Sequence, residues 1–373
     1  MQRLALVDCF TEIIDPRIER TKQHLLTDIL SLSVLAVIAG AEGWEDIEDF
    51  GRQKQVWLQQ FLRLPNGIPS HDTISRVFRR LKPGAFDAAL REWMESLHES
   101  LGLTLIAIDG KTVRRSHDRR SLKTALHLVC AWSVANHLVL GQRATDVKSN
   151  EITAIPELLK LLVLKGALIT IDAMGCQKQI AQQIVDGGGD YVLAVKGNQR
   201  LLHAATVQHF AQLHETNFEE CDARHLTTQD KAHGRQEQRS YHLVPLPDSM
   251  RKFQRDWKQL TSLGQAINST QREGRETREV RYYILSRKPG VKRFAAAVRG
   301  HWGIENNLHW QLDVSFHEDA CRVRTGHGAE NLSRLRRIAL NLLKRETTEK
   351  ASIANKRLLA GWDHDYLLKL LTT

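Results

Sequence analysis

Across residues 1–100 the apolar positions recur at helical spacing. Residues 25–41 form a largely apolar run broken by Thr27, Asp28, Ser31 and Ser33, which predicts a buried helix. Residues 45–62 predict a second. The turn Pro69-Ser70-His71-Asp72 opens a third over residues 73–81, with Ser70 or Asp72 as its N-cap. That helix places Ile74, Val77, Phe78 and Leu81 on one face and Arg76, Arg79 and Arg80 largely on another.

From residue 103 the period shortens to that of strands. Residues 103–108 predict a buried strand, and residues 126–134 and 137–143 a hairpin turning at Ala135-Asn136. A helix over 152–162 precedes a strand over 167–171 that ends at Asp172. Residues 177–185 predict a helix closed by Gly187-Gly188-Gly189, and residues 191–195 a strand ending at Lys196-Gly197-Asn198. The order β-β-β-α-β-α-β predicts an α/β fold, a mixed sheet flanked by helices. Residues 199–285 read as a less regular, partly β insertion: a helix over 201–213, then several short strands, the last over 280–285. Long helical patterns follow over 291–312 and 328–344. Five segments are therefore expected: a helical N-terminal domain (1–100), the first part of the α/β core (101–198), the insertion (199–285), the second part of the core (286–346) and a basic helical tail (347–373).

Charge adds a partner to this picture. The 373 residues carry 53 Lys+Arg against 43 Asp+Glu, a net +10. Residues 320–360 hold ten Lys/Arg against three Glu, so this segment supplies +7 of that excess. A second basic run comprises Lys111, Arg114, Arg115, Arg119, Arg120 and Lys123. Such clusters suit a polyanion, usually nucleic acid, and they also describe solvated helical faces. The arginines of residues 73–81 pose the same choice, between a DNA-reading helix and an ordinary amphipathic one. The five cysteines are odd in number and form no C-x-x-C pair, which fits a reducing cytoplasm better than a disulfide framework. The N-terminus lacks a signal-peptide layout and no apolar run suits a membrane span.

The stretch LTLIAIDGKTVRRS, residues 103–116, carries the first chemistry. Its Gly110-Lys111-Thr112 is not a phosphate-binding loop: that motif needs a glycine where Leu105 stands, and a helix where the next element is a strand. Asp109 is better paired with Asp172, since each follows an apolar strand. Ligands collect at the carboxyl ends of parallel strands, and a divalent cation would relieve the repulsion between two converging carboxylates. A pair of turn-capping aspartates is the plainer alternative. Residues 299–319 offer Glu305, Asp313, Glu318 and Asp319 as a third carboxylate. On a helix His301, Glu305 and His309 share a face beside the apolar stripe of Ile304, Leu308 and Leu312, and a packed helix could aim Glu305 at the aspartates. That face could instead bind zinc, or simply meet solvent.

Several blocks carry a resemblance: AGAEGWEDIEDFG (39–51), GIPSHDTISRVF (67–78), AIDGKTVRRS (107–116), KSNEITAIPELL (148–159), TIDAMGCQ (170–177), GGDYVLAVKGNQ (188–199), VRYYILS (280–286) and HWGIENNLHWQLDVSFHEDACRVR (301–324). Over nearly its whole length the chain resembles the H-repeat-associated transposases of bacterial insertion sequences, the ISAs group, within the DDE transposases of ribonuclease-H-like fold. The resemblance implies a ribonuclease-H-like core, with Asp109, Asp172 and Glu305 as the catalytic, metal-holding trio and an insertion before the glutamate helix. It implies two Mg²⁺ ions, for which Mn²⁺ can substitute, and DNA partners: the element's terminal inverted repeats and the target. Two bound ends suggest a homodimer on DNA, beside the bacterial nucleoid and away from any membrane. Candidate DNA contacts are Lys111, Arg114, Arg115, Lys196, Asn198, His301, Arg322, Arg324, Arg336 and Arg337. Trp302 and Trp310 are candidates for stacking on a base, with core packing expected for at least one. The wider group has Tyr, Arg and Lys where this chain has Val298, His301 and Leu312, so those roles do not carry over. A ribonuclease-H-fold nuclease without strand transfer, and a non-catalytic DNA-binding relic, are the alternatives.

Overall fold

A computed structural model describes residues 6–101, 105–117, 124–145, 151–219, 221–232, 235–272, 275–287 and 289–372, without the side chains of 92 and 94–101. Arg119, Arg120, Lys123 and residues 148–150, singled out above, lie outside the described residues, as do the first two positions of the strand expected over 103–108. The helices are α1 (Leu6–Cys9), α2 (Leu26–Ile38), α3 (Trp44–Leu58), α4 (His71–Arg80), α5 (Pro83–Leu101), α6 (Glu151–Leu159), α7 (Lys178–Asp186), α8 (Arg200–Glu215), α9 (Val291–Ile304), α10 (Trp310–Val314), α11 (Gly328–Arg345), α12 (Ile353–Trp362) and α13 (His364–Thr372). The strands are β1 (Leu105–Val113), β2 (Leu126–Ser133), β3 (Leu138–Thr145), β4 (Leu168–Ile171), β5 (Asp190–Val195), β6 (Arg224–Ala232), β7 (Arg235–Pro245), β8 (Ser262–Arg272) and β9 (Arg275–Leu285). They fall into two compact units, one of residues 1–102, 110–150 and 305–373, the other of residues 103–109 and 151–304.

The first unit is built around α11. All but three of its 18 residues are buried, including Arg334, Arg336 and Arg337. A helix enclosed on every side needs partners for each polar group it buries. Arg334 meets Asp87 at 2.7 Å and Glu330 at 2.9 Å, and Arg337 meets Glu318 at 2.8 Å. Asn341 exchanges two 2.8 Å bonds with the Val139 backbone of β3, and Asn331 donates to the carbonyls of Phe78 and Leu81 at the end of α4. Ser70 caps α4, its Oγ accepting from the Thr73 N–H at 3.3 Å. Arg76, Arg79 and Arg80 face solvent while Ile74, Val77 and Phe78 are buried, as the spacing predicts.

The second unit is a mixed sheet in the order β1-β4-β5-β9-β8-β7-β6. The pairs β1–β4 and β4–β5 are parallel, and every later pair is antiparallel. Helix α9 lies on this sheet, with Phe294, Ala297 and Val298 packed among Leu168, Val192, Tyr241, Leu243, Tyr283 and Leu285. Gly264 makes that approach feasible, because a Cβ there would come within 2.5 Å of the Phe294 ring. The insertion departs from expectation. In place of short strands it forms two long hairpins, β7, β8 and β9 having 11 residues each. β9 runs from exposed at Arg275 to buried at Leu285, so its outer half is a solvated ribbon held by the backbone ladder. A hydrophobic pattern cannot signal such a ribbon, since neither face is apolar.

Candidate active site

The parallel register of β1 on β4 pairs Leu105 with Leu168 and, at its other end, Ile108 with Ile171. Continued by one position, the same offset sets Asp109 beside Asp172. Neighbouring strands lie about 4.8 Å apart, so the two carboxylates are borne on adjacent backbones at one end of the pairing. β1 does not stop there: it continues to Val113, contrary to the expectation of a strand ending at Asp109, with Lys111 and Val113 buried beyond it. Asp109 is half-buried. Beyond β4 the chain turns sharply. Asp172 Oδ1 accepts the Gly175 N–H at 3.1 Å, and a Cβ at Gly175 would collide with Ile171 at 2.3 Å. The loop after β5 braces this turn: Asn198 donates to the Ala173 carbonyl at 2.6 Å and Gln199 to that of Cys176 at 2.9 Å. Asn198, exposed and expected at a phosphate, thus also braces the turn that carries Asp172.

His301 lies on α9 with its Nδ1 3.3 Å from Thr170 Oγ1, two residues before Asp172. Burial pushes the imidazole down to about 4, against the pull of the Asp172 carboxylate, so it is neutral at pH 7. Half-exposed on the sheet helix, His301 is tied by that contact to the strand that leads into Asp172. Glu305 follows the last residue of α9. There the single helix expected over 291–312 is interrupted by a π-helical turn, Glu305–His309, before α10. The shared face of His301, Glu305 and His309 is therefore broken, because a π turn holds more than 3.6 residues. Such bulges are frequent at functional sites.

Of the four acids in residues 299–319, three are engaged in ion pairs. Asp313 and Asp319 hold the Lys111 ammonium at 2.6 and 3.4 Å, and Glu318 holds Arg337. Burial opposes ionisation of Glu318, but the charges of Arg337 and Arg336 and the Arg337 hydrogen bond hold it at about 2. Glu305 is exposed. Among the described residues, no three His, Cys, Asp or Glu side chains already stand as a closed set of metal ligands. The donor chemistry nevertheless suits a hard divalent ion: carboxylate oxygens on adjacent parallel strands, one already turned into a hydrogen-bonded loop.

The basic residues divide sharply. Lys111 is buried against Asp313 and Asp319, Arg336 is buried and donates to the Glu42 carbonyl at 3.0 Å, and Arg337 is buried with Glu318. All three were expected on a DNA-facing surface; Lys111 and Arg337 are interior, and Arg336, though buried, lines the cleft that Arg79, Arg322 and Arg324 also line. Lys356 and Arg357 of the expected basic tail are also buried, Arg357 donating to the Val37 carbonyl at 3.0 Å. Arg114, Arg115, Lys196 and Arg322 are exposed, and Arg324 is half-exposed with its Nε on the Arg115 carbonyl. In the first unit Arg79 of α4, Arg322 and Arg324 line a cleft of about 640 Å³. Both tryptophans are exposed, Trp302 by 39% and Trp310 by 53%, so neither is core; the Arg281 guanidinium stacks 3.9 Å from the Trp302 ring.

A mixed sheet flanked by helices, with parallel strands β1, β4 and β5 at one side, is consistent with a ribonuclease-H-like transposase domain, and sequence comparison agrees. A transposase DDE domain matches residues 100–342 and a DDE_Tnp_1-associated region residues 7–94. The chain belongs to the DDE transposase family. It is 44% identical to the "H repeat-associated putative transposase YhhI" of Escherichia coli (strain K12), covering 100% of this chain and 98% of the relative. It is also 44% identical to the "Putative transposase YncI" of Escherichia coli O157:H7, over 99% of this chain and 95% of that protein. A shorter likeness, 61% over 54 residues, links it to the "Inactive transposase YbfQ" of Escherichia coli (strain K12). Family members work on DNA with divalent metal ions. No helix among the described residues is long and apolar enough to cross a membrane.

Proposed function

We propose that this protein cuts DNA at the ends of an insertion sequence and joins the freed 3′-hydroxyls to target DNA, with Asp109, Asp172 and Glu305 holding two Mg²⁺ ions. The observation that carries this reading is the β1–β4 register, which carries the two aspartates onto neighbouring positions. Glu305 is the third ligand because Asp313, Glu318 and Asp319 are already spent on Lys111 and Arg337. Bound Mg²⁺, or Mn²⁺ in its place, supplies activation of a water or 3′-hydroxyl and stabilisation of the leaving oxygen.

The protein's own groups bind and orient. Asn198 and Gly175 fix the turn that presents Asp172, and neutral His301 seats α9 on Thr170 one turn before Glu305. Arg114, Arg115, Lys196, Arg322 and Arg324 are the basic residues left to meet phosphates of the terminal repeats and the target. A homodimer would hold two ends at once, in the cytoplasm beside the nucleoid.

The test is incubation of the purified chain with a labelled element end, a target duplex and Mg²⁺. Joined products are expected, and Asp109→Asn, Asp172→Asn and Glu305→Gln should each abolish cutting while retaining end binding. Cut ends that are never joined would make the protein a nuclease. Binding without any metal-dependent cutting would make it a DNA-binding relic. Normal cutting by Glu305→Gln would remove Glu305 from the site.

A further inference from the structure

The sheet of the second unit ends at β6, and that edge is open. β6 pairs with β7 on one side along its whole length, from Arg224 opposite Leu243 to Ala232 opposite Arg235, without a bulge. On its other side, among the described residues, no protein group takes up the outward N–H and C=O groups of Arg224–Lys231. Proteins usually blunt such an edge with proline, a bulge, a covering segment or a row of charges. The stretch RHLTTQD, residues 224–230, has no proline, a Leu-Thr-Thr-Gln centre, and its formal charges only at the two ends. An open, bulge-free edge of this composition is a template for another strand.

The two end charges identify the strand that fits. Leu226 packs with the cluster around Phe294, so Arg224, Leu226, Thr228 and Asp230 share the face on which α9 lies, and His225, Thr227 and Gln229 share the other. Arg224 is exposed and, among the described residues, has no carboxylate partner. Asp230 is also exposed. Its Oδ2 meets Arg299 at 3.1 Å and Arg239 at 3.8 Å, while among the described residues its Oδ1 has no partner. An incoming antiparallel strand should therefore bring an acid to Arg224 and a base to Asp230. β6 itself has that sequence. Turned end for end about Thr227, it sets Asp230 opposite Arg224 and Arg224 opposite Asp230. Moving the axis to Thr228 would instead oppose His225 to Lys231 and Leu226 to Asp230.

We propose that β6 pairs with β6 of a second copy of this chain, antiparallel about a two-fold axis at Thr227, joining the two sheets across the seam. On the α9 face two Arg224–Asp230 pairs flank the Leu226–Thr228 neighbours. On the other face Thr227 meets its own copy and Gln229 meets His225. Opposite charges and threonine pairs are favourable cross-strand neighbours, and a two-fold interface uses one patch on both copies. The backbone ladder supplies the affinity, and the charges set the register. This gives a surface to the homodimer of the proposed function and rests on that part of the reading alone; nothing in it depends on Asp109, Asp172 or Glu305.

The experiment is sedimentation of the full chain over a concentration series, alone and with end DNA, together with oxidative cross-linking. Wild type should reach twice its 42.5 kDa mass. Arg224→Glu should weaken the dimer at least tenfold, and Arg224→Glu/Asp230→Lys should recover affinity toward wild type, which damage to the fold would not allow. Thr227→Cys should give a cross-linked dimer in excess of wild type, because directly opposed Cα atoms lie about 4.5–5.5 Å apart. Thr228→Cys should not, because its copy lies diagonally across the seam, about 7–8 Å away. A chain that is monomeric both alone and on DNA would overturn the proposal. So would a dimer that Arg224→Glu leaves unchanged and Thr227→Cys fails to cross-link, which would move the homodimer to another surface. Absence of DNA cutting with this dimer intact would strike the proposed chemistry and uphold the edge.

Discussion

Arg337→Met separates two meanings of the basic C-terminal segment. If the arginines of α11 face DNA, the substitution weakens DNA binding and leaves the fold alone. The structure puts the Arg337 guanidinium on Glu318, with both side chains buried, and Ser333 accepting from the same group. Removing the cation strands a carboxylate that has no exposure to water, and breaking such a pair costs about 3–5 kcal/mol. A second route to the magnitude uses the titration of Glu318, which burial would raise but Arg337 and Arg336 hold at about 2 against an ordinary 4.5. At 1.36 kcal/mol per pH unit of displacement, that depression is worth about 3 kcal/mol. For a unit of roughly 200 residues this lowers the thermal midpoint by about 6–20 °C. Because the folded carboxyl is depressed, its contribution is full above pH 4.5 and is lost as pH falls toward 2. The assay is thermal unfolding of wild type and Arg337→Met at pH 7 and at steps down to pH 3, with end-DNA affinity measured at a temperature where both are folded. Wild type should lose stability across that acid range, and the variant should lose less of it. An unchanged midpoint with weakened DNA binding would refute the reasoning.

Three further outcomes follow from particular contacts. Gly264→Ala would press a methyl to 2.5 Å from the Phe294 ring and should cost about 1–3 kcal/mol, read by denaturant unfolding, with partial recovery in Gly264→Ala/Phe294→Leu. Arg322→Gln, at an exposed position lining the cleft beside α4, should lower DNA affinity and flatten the plot of log affinity against log salt by about one unit. Lys111→Gln should leave that slope unchanged and lower stability, because Lys111 is buried on Asp313 and Asp319; a reduced slope would return it to the DNA surface.

The element order of the α/β core and of the N-terminal helices was legible in the chain, because each element declares its period locally. Ser70 as a cap, the apolar face of α4 and the glycine end of α7 needed only neighbours in sequence. Asp109 and Asp172 stood out in the chain because each directly follows an apolar run, 103–108 and 167–171. Other features are settled by partners far along the chain. Whether an arginine is a phosphate contact or a core ion depends on what packs against its helix, and α11 is enclosed by β3, α2 and α4. Lys111 looks like the edge of a basic surface until Asp313, 202 positions away, closes on it. The outer ribbons of β6–β9 have no buried face to announce them, and the π turn at Glu305 has no residue signature apart from two asparagines that disfavour an ideal helix. The sequence by itself determined the order of elements in the α/β core and the family, and it singled out the candidate carboxylates. The tertiary structure decided which charges are free to meet DNA, because desolvation forces each enclosed cation onto a protein partner and leaves only the exposed ones for another molecule.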